Sequence, residues 1–249
     1  MEYINKCNQS VFLPFYTRFE NNKWITANSQ YSSKYNYIGL REQIYNDIKF
    51  ALIDEQNNLC CYCMKHLEKN DSTTIEHLYP QKPQPYNSFT NYSITCIEKT
   101  TFNYLNRNLP NSNLDNLPHD ISYYNLLACC KNCNHTRGTK ELKPFVFDNA
   151  VKTKFHYNIN GNIYSNEYAD EISNIGLASE RYVNFRRLWK YIASKHPNIV
   201  SFDYRSLEKI IKTSALEMYN TTKSLFYIEF TMNGLLVKEA FQYRYFYNN

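Results

Sequence analysis

Asn125-Leu-Leu-Ala-Cys-Cys-Lys-Asn-Cys-Asn134, read together with the earlier run Cys60-Cys61-Tyr62-Cys63, decides the interpretation of this chain. Each run holds a Cys-x-x-Cys, from Cys60 to Cys63 and from Cys130 to Cys133. Such a turn aims two sulfurs at one point, and two such turns supply the four thiolates of a closed tetrahedral metal site. Thiolates are soft ligands, so Zn2+ is expected rather than magnesium or calcium. Cys61 and Cys129 could substitute, but only the 60/63 and 130/133 choice gives two x-x spacings. The chain between the pairs then becomes one large loop, and metal binding would contribute on the order of 10 kcal/mol to folding. A fully sulfur-ligated zinc has no open position, so this metal is expected to be structural. A redox reading is weaker, because no βαβ pattern surrounds either pair. Of the eight cysteines, Cys7 and Cys96 stand apart and read as buried thiols.

Composition narrows the class. Of the 249 residues, 43% are hydrophobic, enough to build a real core and to exclude global disorder. No apolar run approaches the length of a membrane span. The start, MEYINKCNQS, lacks the basic-then-apolar pattern of a secretion signal, so a soluble cytoplasmic protein is expected. The net charge of +5 tolerates a polyanionic partner without demanding one. With only 5 glycines the chain has neither G-x-x-x-x-G-K-[ST] nor G-x-G-x-x-G, so an ATP-driven step needs a partner chain.

Periodicity organises the rest. Leu40, Ile44, Ile48, Ala51 and Leu52 recur at helical spacing and predict a helix over 39–55. Residues 73–79 read as a short strand, and 80–124, rich in Pro, Asn and Ser, as a long insertion. Residues 125–140 carry the second cysteine pair and open a short helix. Residues 155–165 read as a hairpin, with Phe155, Tyr157 and Ile159 alternating and Asn160-Gly161 at the turn. Two helical stripes follow: Tyr182, Phe185, Leu188, Trp189 and Ile192, then Leu207, Ile210, Ile211, Ala215 and Met218. The expected organisation is α+β. A helical and irregular region spans 1–55, a zinc-stapled core 56–148, and a hairpin with helices 149–249.

Between the cysteine pairs stands Glu76-His77, shortly before the second pair Asn125, and directly after it Asn134, His135, Arg137 and Lys140. Singly these are ordinary surface or turn residues. Their order resembles the HNH (ββα-metal) endonuclease family in its zinc-stapled form. The family's three signature positions fall on His77, Asn125 and Asn134. The third departs from the namesake His, and His135, one residue out of register, competes with it as a metal ligand. Arg137 matches the family's usual Lys.

The resemblance implies a ββα element built from the strand at 73–79, a second strand near 122–128 and a helix after 133. It also implies phosphodiester hydrolysis. His77, with an ordinary pKa of about 6.5, would accept the proton of the attacking water. A second cation, Mg2+ or Mn2+, would neutralise the developing charge. Glu76 and the Asn134 amide oxygen are its expected ligands. Glu76 is one methylene longer than the usual Asp, which favours contact through water. Asn125 would hold the His77 loop. Lys131, Arg137, Lys140 and Lys143 would contact backbone phosphates without reading sequence.

Within the family the run Cys60–Cys63, the phrase Thr-Ile-Glu-His-Leu-Tyr-Pro at 74–80 and the phrase 125–134 resemble the PtuB-like nucleases of Septu and retron-associated anti-phage systems. The segment from Ile172 to Arg187 is similar to that group's helical tail. This resemblance implies DNA as substrate and an ABC-type ATPase as partner, in some systems with a retron reverse transcriptase and its RNA/DNA. Two alternatives stand beside it: an RNase, for example one that cleaves tRNA, and a non-catalytic zinc module that binds nucleic acid or protein.

Overall fold

Helix α1, Glu42–Glu55, buries Ile48, Leu52 and Ile53, the inward stripe of an amphipathic helix. It stops at Asn57 and Asn58, both at positive φ (53° and 60°), a backbone region that asparagine tolerates better than most residues. The N–H of Asn58 returns to the carbonyl of Ile53 at 2.9 Å and closes the helix end. The computed structural model describes residues 1–4, 42–78, 126–143, 145–223 and 235–244. Leu40, the insertion 80–124, Asn125, Cys7 and Cys96 lie outside the described residues.

Strands β1 (Thr73–His77) and β2 (Leu126–Cys130) form a two-stranded antiparallel sheet. The register runs from Thr73 opposite Cys130 to His77 opposite Leu126. All five residues of β2 are buried, so this strand reads as a continuous apolar run rather than an alternating one. Helix α2, Lys131–Arg137, follows β2 without a linker and lies against both strands. It begins at Lys131, ahead of the start after 133 that the sequence suggested, so Cys130 caps it and Cys133 lies within its first turn. A 3-10 turn at Phe145–Phe147 and the short helix α3, Val151–Lys154, complete this part.

The chain divides into two compact units: Met1–Tyr62 with Leu67–Lys152, and Cys63–His66 with Thr153–Asn249. The second unit opens on a minimal hairpin, β3 (His156–Tyr157) and β4 (Ile163–Tyr164). Its turn does use Gly161, at φ +81°, and Ile159, two residues before that glycine, is 81% exposed. Helix α4, Ala169–Ile175, ends on Gly176 in the left-handed region. There the Leu177 and Gly176 N–H groups return to Ile172 and Ser173. Helix α5, Glu180–Lys195, packs on α6, Tyr204–Thr222, which also meets α7, Leu235–Phe241. The stripe on α5 is buried throughout, and that on α6 is buried except for half-exposed Ile210. Among the described residues no helix is long and apolar enough to cross a membrane.

Candidate metal centre and its neighbours

The Sγ atoms of Cys60, Cys63, Cys130 and Cys133 lie within 4.8 Å of one another, and all four residues are buried. Two turns place them: the tight turn after Cys60, and the junction where β2 runs directly into α2. This cluster can hold a metal ion such as zinc, because four sulfurs converging on one point are what a closed tetrahedral zinc site requires. Cys60, Cys61 and Cys129 form a second, three-membered group that shares Cys60.

The thiols around Cys60 differ in how readily they ionise. Burial opposes ionisation of Cys60, yet hydrogen bonds from Cys129, Cys130, Cys133 and Cys61 outweigh it and hold its thiol well below the usual range. The backbone N–H of Cys130 also donates to Cys60 Sγ at 3.4 Å, an outer-shell contact that favours thiolate. Burial instead pushes the Cys61 and Cys129 thiols well up. The two x-x spacings favour the four-membered set, while Cys60, shared by both groups, does not discriminate between them.

Gln56, which nothing in the sequence singled out, fixes the local geometry. Its amide makes a pair of hydrogen bonds with the N–H and carbonyl of Ala128, both at 2.8 Å, and it also reaches the Leu59 carbonyl at 2.9 Å. One side chain therefore closes the open edge of β2 and ties it to the chain leading into Cys60.

Alternation along β1 sends Glu76 and His77 to opposite faces, and both are buried, at 2% and 5% exposure. Glu76 Oε1 accepts from the Tyr62 hydroxyl at 3.0 Å and pairs with the Arg137 guanidinium at 3.0 Å. Burial raises the Glu76 carboxyl to about 7, against the lowering pull of Arg137, Tyr62 and the His77 backbone N–H. Glu76 was expected to ligate an exchangeable cation. Its side chain is instead turned inward and engaged, so it does not fit that role.

The periodicity of α2 sorts the residues after the second cysteine pair. Cys133 and Arg137, one turn apart, share the buried face. Asn134 lies half-buried beside them and donates its amide to the Thr74 hydroxyl and the Ile75 carbonyl, both at 3.2 Å, which covers the open edge of β1. His135 is exposed. Of these two competing residues, Asn134 is the one that contacts β1.

Arg137 was expected among the phosphate-contacting cations. It is 2% exposed, bonds the carbonyls of His77 (2.7 Å) and Leu78, and pairs with Glu76. A phosphate has no access to it. Its position fixes the end of β1, the task the resemblance gave to Asn125, which lies outside the described residues. Lys131, Lys140 and Lys143 are exposed, as phosphate contacts must be.

A catalytic magnesium or manganese ion needs oxygen donors open to water. Among the described residues the only clusters of three or more His, Cys, Asp or Glu ligand atoms are the two cysteine groups. His77, the last residue of β1, is 5% exposed, Asn134 meets β1 at Thr74 and Ile75, and His135 lies on the outer face of α2. No family model matches this chain, and no curated protein or solved structure matches it either.

Proposed function

We propose that this chain is an HNH-type endonuclease that hydrolyses phosphodiester bonds, with DNA as substrate, His77 as general base and a structural zinc on Cys60, Cys63, Cys130 and Cys133. The observation that carries the reading is local. An antiparallel strand pair runs directly into a helix, His77 occupies the last paired position of β1, and Asn134 reaches back from the helix to that strand. In this arrangement His77 takes the proton from the attacking water. A divalent cation, when bound, supplies positive charge for the leaving oxygen. Asn134 and His135 are its candidate protein ligands, with water and substrate oxygens completing the shell. Arg137 acts by positioning, through its hydrogen bond to the His77 carbonyl. Lys131, Lys140 and Lys143 hold backbone phosphates.

A second reading has its own support. Glu76 is locked to Arg137 and Tyr62, which suits a zinc-stapled scaffold that binds without cutting. The role of anti-phage effector with an ABC-type ATPase, in some systems with a retron reverse transcriptase, rests on the sequence resemblance alone.

Plasmid DNA and tRNA are incubated with the protein and magnesium or manganese, with and without an ABC-type ATPase as the proposed partner. Cleavage of plasmid that falls at least a hundredfold in His77→Ala, with the fold kept, is the expected result. Undiminished cutting by that variant would remove His77 as the base. Cutting of tRNA alone makes the chain an RNase, and no cutting under any condition favours the binding module.

A further inference from the structure

The second unit contains a cleft of about 280 Å3 that the nuclease reading does not use. Helices α5 and α6 supply most of its wall, and the hairpin tip supplies the lip. The tip is fixed rather than draped. A Cβ built on Gly161 would lie 2.2 Å from the Val183 carbonyl oxygen and 2.7 Å from the Arg187 nitrogen, so the turn rests against the backbone of α5. Arg186, 3% exposed, reinforces the docking by donating to the Gly161 carbonyl at 2.6 Å and to the Leu177 carbonyl at 2.8 Å. Ile159, 81% exposed, is thereby held at the rim of the cleft.

The lining has two characters. Ile159, Tyr191 and Met218 offer apolar and aromatic surface, while Arg187 and Lys190 bring two cations. Among the described residues the Arg187 guanidinium, half-buried, makes no hydrogen bond or ion pair. The carboxylate in the lining, Glu217, is already matched by Lys195 at 2.8 Å and by the Tyr191 hydroxyl. The cleft is therefore net positive, with a guanidinium fork open to an oxyanion.

From this pairing of cation and apolar wall we propose that the cleft binds one nucleotide. Its phosphate would sit on Arg187 and Lys190, and its base against Ile159 and Tyr191. A bare anion would leave the apolar wall unused, and a purely apolar ligand would leave Arg187 unmatched. The volume lies near the lower limit of small-molecule sites, about 300–1,000 Å3, and admits a single nucleotide rather than a duplex. Base stacking on side chains of this kind tolerates any base, so the assignment concerns the chemical class alone. The nucleotide could be free or the end of a single strand.

Calorimetric titration of the full chain with adenosine and thymidine 5′-monophosphates tests this. Anisotropy of a fluorescent oligothymidylate bearing a 5′-phosphate tests the strand form. Binding that falls at least tenfold in Arg187→Ala, with unchanged thermal midpoint, is expected, and Arg187→Lys should recover part of it. Should Arg187→Ala fold poorly, Ser194→Trp fills the cleft without removing a charge and should also abolish binding. Mononucleotide binding identifies a free ligand, and oligonucleotide binding alone identifies a strand end. Binding to neither probe overturns the proposal, as does binding that survives both substitutions. Inorganic phosphate binding as tightly as the monophosphates would also overturn it.

Discussion

Arg137 and Glu76 pair with almost no water around them, their side chains being 2% and 3% exposed. Among the described residues the Arg137 Nε is buried without a hydrogen-bond partner, so the pair rests on the terminal guanidinium nitrogens, and removing one partner leaves the other buried and uncompensated. The guanidinium also bonds two successive carbonyls, His77 and Leu78, so one side chain fixes charge and backbone together. Arg137→Ala should therefore destabilise the protein by about 3–5 kcal/mol in denaturant unfolding. Lysine should rescue little, because a point charge cannot span Glu76 and both carbonyls. Replacing both partners with apolar side chains, Glu76→Leu with Arg137→Met, should recover much of the loss. An Arg137→Ala variant as stable as wild type would mean that the pair does not hold this strand end. The sequence shows a basic residue near a cysteine pair, which looks like a phosphate contact. Its spacing from Cys133, one helical turn, is what buries it, and that could be read only once the helix was known to start at Lys131.

Elements whose residues share a face by local periodicity were legible. The stripe from Tyr182 to Ile192 and that from Leu207 to Met218 lie on helices, and the strand read at 73–79 is β1, Thr73–His77. What escaped depended on partners distant in the chain. The role of Gln56 needs the edge of β2, 72 residues away, and the pairing of Tyr62 with Glu76 needs a fold that brings them together. The four-cysteine cluster was legible because its chemistry is written as spacing. The environment of Glu76 was not, because it depends on what covers β1. Ile159 marks the same limit, since alternation with Phe155 and Tyr157 gives a hairpin but not its 81% exposure, which depends on where the turn docks. That docking yields a prediction at this scale. Gly161→Ala places a Cβ at φ +81° against the α5 backbone, and should cost more than about 1 kcal/mol. Unchanged amide-exchange protection across 156–164 in that variant would show that the turn does not rest on the helix.

For the whole molecule the governing term is the metal. Four thiols converge from two turns widely separated in sequence, and without an ion they are a weakly bonded polar cluster inside the core. With zinc bound, the ligation free energy enters the folding free energy directly, on the order of 10 kcal/mol for sites of this kind. That is comparable to the whole stability of an ordinary domain, about 5–15 kcal/mol, so folding and metal loading should be one event. Elemental analysis should find about one zinc per chain. The two overlapping cysteine groups make the test sharper than a count. Cys130→Ser and Cys63→Ser remove ligands unique to the four-membered set, and should lose the metal and unfold on mild heating. Cys61→Ser and Cys129→Ser remove members of the other group alone, and should keep the zinc and most of the thermal stability. A chelator should reproduce the Cys130→Ser behaviour in the wild type, and added zinc should reverse it. If Cys61→Ser released the metal while Cys63→Ser retained it, the ion would sit in the three-membered group. Its fourth position would then be open, and the metal assigned to structure would have to be reconsidered as a centre for chemistry.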